Sequence, residues 1–180
     1  MKFTNWKLIN LDEIQPNEFF ELIQHNRIHI ENTLTITVKN CENLEKTTQY
    51  IQIKKNNQIN KTDFYFYVRN IETNKLIGYI GIKKIDYAIS KCELFYFIDK
   101  HFEGKGIISN AVSQTLDFCF DKLLMQKIII CTSKVNIGSQ KIALKHNFKQ
   151  EGILRNERLN HLKQYEDIVY FGLLKSEYYK

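Results

Sequence analysis

The chain predicts an α+β fold with a mixed, mostly antiparallel sheet of six to seven strands, a central parallel βαβ crossover and about four helices. Two observations carry this. The runs Phe64–Arg69, Leu76–Ile82 and Cys92–Asp99 are dense in aromatic and β-branched residues and are separated by short polar stretches, the signature of an antiparallel meander. After them, Ile108, Ala111, Val112, Thr115, Leu116, Cys119, Phe120 and Leu123 recur at three- and four-residue steps, as on one face of a helix. The continuous apolar run Lys127-Ile128-Ile129-Ile130-Cys131-Thr132 follows, suited to a strand covered on both faces. A strand, a helix and a strand in that order make a crossover, so the two strands are expected to be parallel neighbours.

The remaining elements follow from local signals. Residues Lys2 to Leu11 alternate loosely and suit a first strand. Pro16, the only proline, fits the first turn of a helix through Glu18–Ile23 that continues toward Ile30. A second helix is expected from Asn40 to Ile53, capped by Asn40 or Asn43, with Leu44, Tyr50 and Ile51 facing inward. The asparagine-rich stretch Lys54 to Asp63 then reads as a loop, and Glu72–Lys75 as a hairpin turn. Beyond the crossover, Asn136-Ile137-Gly138-Ser139 opens a helix through Ile142 to His146. Asn147 is its stop signal, because asparagine tolerates the left-handed conformation that closes a helix. Gln150 to Arg158 and Asp167 to Leu174 complete the sheet as a last pair of strands.

At 180 residues the chain fits one domain spanning 1–180, and 43% hydrophobic with 26% charged residues argues against disorder. No apolar run approaches the roughly 20 residues that span a bilayer, and Met1–Trp6 lacks a signal-peptide core, so a cytoplasmic protein without membrane contact is expected. Cys41, Cys92, Cys119 and Cys131 are scattered, with no spacing for a disulfide framework or a metal site. His101 and His146 flank the interesting stretches without a nucleophile at a telling spacing, and read as surface residues. Lys and Arg exceed Asp and Glu by 26 − 20 = +6. Because the lysines are spread along the chain, this basicity argues for attraction of a polyphosphate or an acidic surface ahead of nucleic acid.

The stretch Phe102-Glu103-Gly104-Lys105-Gly106-Ile107-Ile108-Ser109 joins a strand to a helix N-terminus through two glycines. The first N–H groups of a helix have no partner within it, and its dipole places partial positive charge there, so the turn suits an anion. The glycine spacing and the Lys-Ser/Thr pair of a Walker loop are absent, and Ser109 stands where a dinucleotide turn has its third glycine.

Four pieces in this order resemble the GNAT N-acetyltransferase superfamily, in its RimJ/RimL-type branch: the strand Glu93–Ile98, the turn Phe102–Ile107, Asn136-x-x-Ser139 with Asn147-Phe148, and Tyr165–Tyr170 followed by Leu173-Leu174. The chain has Glu103-x-x-Gly106-x-Ile108 where the superfamily usually has Gln/Arg-x-x-Gly-x-Gly/Ala, Phe95 in place of a common glycine, and a segment Asn156 to Gln164 about one residue longer than usual. The resemblance implies a GNAT-like fold and acetyl-CoA as co-substrate, with no metal. Gly104, Lys105, Gly106, Ile107, Ile108 and Ser109 would take its pyrophosphate, Phe97 and Ile98 its pantetheine arm, and Asn136 would contact it while capping a helix. Ser139 would protonate the leaving thiolate, and Glu93, or more weakly Glu157, would act as base or water-holder. The acceptor would be a primary amine, either on a protein N-terminus such as that of a ribosomal protein or on a small molecule, with the enzyme a monomer or homodimer. Two other readings stand beside it: a GNAT-like module that binds acyl-CoA without catalysis, and a basic RNA- or ribosome-associated binding protein.

Overall fold

The computed structural model describes residues 5–179, so Lys2–Thr4 of the expected first strand lie outside the described residues. Seven strands hydrogen-bond in the order β1-β2-β3-β4-β5-β7-β6. They are β1 (Trp6–Asn10), β2 (Phe64–Asn70), β3 (Leu76–Asp86), β4 (Lys91–Ile98), β5 (Lys127–Ser133), β6 (Lys149–Leu159) and β7 (Tyr165–Leu174). The helices are α1 (Pro16–His25), α2 (Arg27–Ile30), α3 (Thr35–Asn40), α4 (Leu44–Ile59), α5 (Ile107–Asp117), α6 (Ile137–Lys145) and α7 (Lys175–Tyr178). The fold is the expected mixed α+β one: β1–β2, β5–β7 and β6–β7 pair antiparallel, while β4 and β5, joined through α5, pair parallel. The parallel register covers Lys91–Leu94 against Lys127–Ile130, and β5 continues to Ser133 in register with β7.

The local signals act where the sequence places them. Pro16 opens α1, and the Glu18 carboxylate accepts the Gln15 N–H at 2.9 Å. The Asn43 side chain caps α4 by accepting the Lys46 N–H at 2.8 Å. Asn74 in the β2–β3 turn and Asn147 after α6 both adopt positive φ, 55° and 61°.

Two helices depart from expectation. Lys54–Ile59 is the last part of α4 rather than a loop, because Lys54 turns inward and Asn57 and Gln58 bond to the chain that follows: Asn57 donates to Asp63 at 2.9 Å, and Gln58 accepts the Tyr65 N–H at 3.2 Å. Leu44, expected inside, is 46% exposed on the first turn of this helix. The helix after the glycine turn stops its regular winding at Asp117; Phe118–Lys122 form a wider π turn, in which the Leu123 N–H donates to Phe118 O at 3.1 Å, and Cys119 and Phe120 stay buried.

The chain divides into two compact units, one running up to Gly81 and including Tyr96–Ala111, the other formed by Ile82–Phe95 and the chain from Val112 onward. In the first, Phe19 packs edge-on to Tyr67 and Tyr79 at 5.5 and 5.3 Å, and Tyr79 edge-on to Phe97 at 5.4 Å. The second is built on Val112, Leu116, Phe120, Ile128, Ile130 and Leu173, all essentially buried.

Gly78 sets the approach of β3 to the end of β4. A Cβ there would lie 2.7 Å from Phe97 O and 3.0 Å from Ile98 Cδ1, and a carbonyl within a sheet cannot step aside. Gly78→Ala is therefore expected to lose about 1–3 kcal/mol of stability in urea unfolding. An unchanged midpoint would contradict this close approach.

Candidate active site

The glycine turn leaves β4 through Asp99, whose side chain accepts the His101 N–H at 2.8 Å and starts a single 3-10 turn, Lys100–Phe102. Gly104 and Gly106 then take left-handed φ of 70° and 75°, and α5 begins at Ile107. A side chain of ordinary chirality is strained at such φ. A Cβ on either glycine would meet nothing within 4 Å, so their role is backbone conformation and exposure rather than packing. Alternating left-handed residues in front of a helix aim successive N–H groups into one concavity, a geometry that suits phosphate oxygens. Lys105 is exposed between the glycines, its ammonium 4.8 Å from the Phe102 ring centroid. Ile108, the bulky departure from the superfamily pattern, is 9% exposed and belongs to the core, as does Ser109 at 5%. Phe97 and Ile98, the last residues of β4, are buried, and the Asp99 N–H donates to Ile77 O at 2.7 Å.

The other candidates lie in the second unit. Asn136 caps α6 by accepting the Ser139 N–H at 3.0 Å, and its own N–H donates to Ser133 O at 2.9 Å. Asn136 and Ser139 are thus held together at the start of α6, with Ser139 partly exposed. Glu93, 7% exposed on β4, is gripped by two ammonium groups, Lys83 at 3.0 Å and Lys84 at 2.9 Å. Its hydrogen bond, the leading cause, and its charge raise the Lys84 pKa against the cost of burial. Burial first, and then the Glu93 charge, push the Cys131 thiol to about 11, against the lowering effect of its hydrogen bond with Tyr170. Burial leads again in raising Tyr170 to about 12, helped by Cys131 and by the charges of Glu157 and Glu93. Lys83, Lys84, Glu93, Cys131, Glu157 and Tyr170 therefore share one electrostatic neighbourhood.

The sequence reading named Glu93 and Glu157 but missed this grouping. β3 runs four residues beyond the expected end at Ile82, and that extension brings Lys83 and Lys84 to Glu93. The charges that replace the apolar pattern at Lys83-Lys84 were the available signal. The register of β6 on β7 slips between Leu154 and Arg158, around Asn156 at φ 54°, where the segment Asn156 to Gln164 that reads as about one residue longer than usual begins. His25 also meets Asp99 and His101, although it lies far from them in the chain.

Residues 10–149 match the acetyltransferase (GNAT) domain family model. The "Putative ribosomal N-acetyltransferase YdaF" of Bacillus subtilis (strain 168) is 34% identical over 103 residues, 57% of this chain and 56% of that protein. The chain therefore spans little more than half the length of this relative. The ribosomal-protein-S5-alanine acetyltransferase of Vibrio fischeri superposes with a TM-score of 0.84 at 19% identity, covering 99% of this chain and 97% of that one. RimL, a ribosomal L7/L12 alpha-N-protein acetyltransferase in complex with coenzyme A, superposes with a TM-score of 0.86 at 15% identity, covering 97% and 96%. At these identities the two structures show a common fold. With its strand, glycine turn and helix in place and most of its length within the family model, the chain belongs to the GNAT acetyltransferase family.

Proposed function

We propose that this protein is a cytoplasmic, acetyl-CoA-dependent N-acetyltransferase acting on a primary amine, either the N-terminus of a protein such as a ribosomal protein or a small-molecule amine. The observation that carries the reading is the turn with two left-handed glycines, open to solvent, at the N-terminus of an eleven-residue helix in a GNAT chain. Gly104 to Ser109 bind the pyrophosphate through their N–H groups, and Lys105 adds positive charge. The pantetheine arm lies along Phe97 and Ile98, a placement supported by the end of the β4–β5 register at Leu94. The names of the similar proteins favour a ribosomal protein as acceptor.

The neutral amine attacks the thioester carbonyl carbon. A C–N bond forms, the C–S bond breaks, the amine nitrogen gives up a proton and the thiolate sulfur gains one. A strand amide steadies the negative charge that develops on the carbonyl oxygen. Ser139 donates to the leaving thiolate, whose thiol has an ordinary pKa of about 8.5. Two lysines compete for the carboxylate lone pairs of Glu93. That suits it to hold a water and shape the local field rather than take the proton directly. An α-amine, with an ordinary pKa of about 7.7–8.0, loses its proton more readily than a lysine at about 10.4, which also favours a protein N-terminus.

A thiol-release assay with acetyl-CoA against N-terminal peptides of ribosomal proteins, polyamines and aminoglycosides tests this reading. Saturable release with one class is expected. Binding of acetyl-CoA without release from any class would instead support the non-catalytic module. Ser139→Ala is expected to lower kcat about a hundredfold while leaving acetyl-CoA affinity within a factor of a few. Unchanged turnover would remove Ser139 from the role of acid.

A further inference from the structure

We propose that His25, Asp99 and His101 form a binding site for a first-row divalent transition metal ion, Zn2+ being the best fit. The site ties the end of α1 to the turn that begins the glycine segment. His25 Nε2 lies 3.5 Å from His101 Nδ1 and 3.9 Å from Asp99 Oδ2, and His101 Nδ1 lies 3.0 Å from Asp99 Oδ1. A metal about 2.0–2.1 Å from three ligand atoms at tetrahedral angles separates them pairwise by about 3.3 Å. The two histidine nitrogens are near that separation, but they approach different oxygens of Asp99; with one ligand atom taken from each residue, the three lie within 4.8 Å of one another, so side-chain rotations that bring both imidazoles to one carboxylate oxygen complete one face of a tetrahedron. Two imidazoles and one carboxylate suit Zn2+, Co2+ or Ni2+, whereas Mg2+ and Ca2+ call for oxygen ligands.

The carboxylate is held in place by a second layer of contacts. Asn26, 1% exposed, donates its side-chain N–H to Asp99 Oδ2 at 3.0 Å and to Leu22 O at 3.0 Å, and its Oδ1 accepts the Lys100 N–H at 3.1 Å. Asp99 Oδ1 also accepts the His101 N–H at 2.8 Å. Such outer hydrogen bonds orient a metal-binding carboxylate and commonly change metal affinity 10- to 100-fold. His25 is the last residue of α1, where the negative end of the helix dipole favours a cation. One turn further on, the His29–Glu103 pair at 3.0 Å bridges the same two segments, so they are already close without metal. The imidazole side chains are 59% and 60% exposed, which leaves an entry path and an open fourth position for water.

Only Asp99-x-His101 is local in sequence; His25 lies 74 residues before Asp99 (99 − 25 = 74), too far for a spacing motif to reveal the site. The site is independent of the proposed acetyl transfer, because metal binding is read directly.

The test uses untagged, chelator-treated full-length protein, titrated with Co2+ by visible absorption and with Zn2+ by calorimetry. One ion per chain is expected, with no saturable response to Mg2+. At a free Zn2+ concentration of about 100 times Kd, the thermal midpoint should rise by roughly 5–10 °C. His25→Ala and His101→Ala should each weaken Zn2+ at least tenfold and abolish most of that rise, whereas His29→Ala should retain both. The two ligand histidines are exposed, so circular dichroism and the metal-free midpoint of each variant should match the parent. Failure of the parent to bind Co2+ or Zn2+ saturably would overturn the proposal. So would equal affinity in the His25→Ala, His101→Ala double variant.

Discussion

Gly106→Asp is expected to weaken acetyl-CoA binding about a hundredfold in a protein that still folds. Gly106 has φ 75° and no heavy atom within 4 Å of the position a Cβ would take, so the new carboxylate stands in the open concavity assigned to the pyrophosphate. A like charge about 5 Å from a phosphate, at an effective dielectric of about 20, costs about 3 kcal/mol, which corresponds to roughly two powers of ten in affinity. The left-handed backbone adds strain of about 1–2 kcal/mol to the folded state, small enough for the fold to survive. Gly106→Asn separates these effects, since asparagine accepts that conformation and carries no charge. Calorimetry should find the Asn variant within a few-fold of the parent. If Asp and Asn weaken binding equally, conformation rather than charge is responsible. If neither does, the turn does not hold the anion.

Lys54→Met is expected to stabilise the protein near pH 7 and to remove a rise in stability that the parent shows in alkali. Lys54 is 1% exposed on α4, with its ammonium 3.7 Å from the Tyr65 ring centroid, 4.5 Å from Tyr50 and 5.2 Å from Tyr79. Burial lowers its pKa from 10.5 to about 7, against weaker raising effects from Cys41 and Asp63. That shift corresponds to about 5 kcal/mol against the charged form, and the tyrosine faces offset about 2 kcal/mol of it through cation–π attraction. Between about pH 7 and 10.5 the unfolded chain keeps a proton that the folded chain has released, so folding stability rises with pH across this window. Below it both states are protonated, and the penalty is present in full. The stability difference between Lys54→Met and the parent should therefore shrink by roughly 2–3 kcal/mol from pH 7 to pH 10 in urea unfolding. Taking the difference cancels the tyrosines and cysteines that titrate in both proteins. A constant difference would show that Lys54 does not change its charge there.

Lys54 also shows where sequence reasoning runs out. The meander, the crossover and α6 were legible because their apolar period is fixed by the face they bury, and because Asn147 and Pro16 act through local backbone geometry that needs no tertiary partner. The second half of α4 was not legible. A stretch of lysines, asparagines and a glutamine carries loop composition, and the cost of turning Lys54 inward is offset in part by Tyr50 one turn earlier on the same helix and by the Tyr65 and Tyr79 rings that β2 and β3 bring to it. The π turn at Phe118–Lys122 was hidden for a similar reason, since one extra residue per turn leaves the apolar stripe readable while the hydrogen-bond ladder changes. Among the candidate site residues, the glycine turn and the Asn136–Ser139 cap are local motifs, and the sequence contains nearly everything needed to see them. Lys83 and Lys84 against Glu93, and His25 against Asp99 and His101, are pairings across strands and segments, set by register and topology rather than by spacing.

The most direct test of the central claim is a calorimetric titration of the purified protein with acetyl-CoA, repeated with coenzyme A as competitor. The glycine turn, together with membership of the GNAT family, predicts one site per chain with a dissociation constant in the micromolar range, about −8 kcal/mol, displaced by coenzyme A and lost in Gly106→Asp. Absence of binding at micromolar cofactor, or binding that Gly106→Asp leaves untouched, would contradict it.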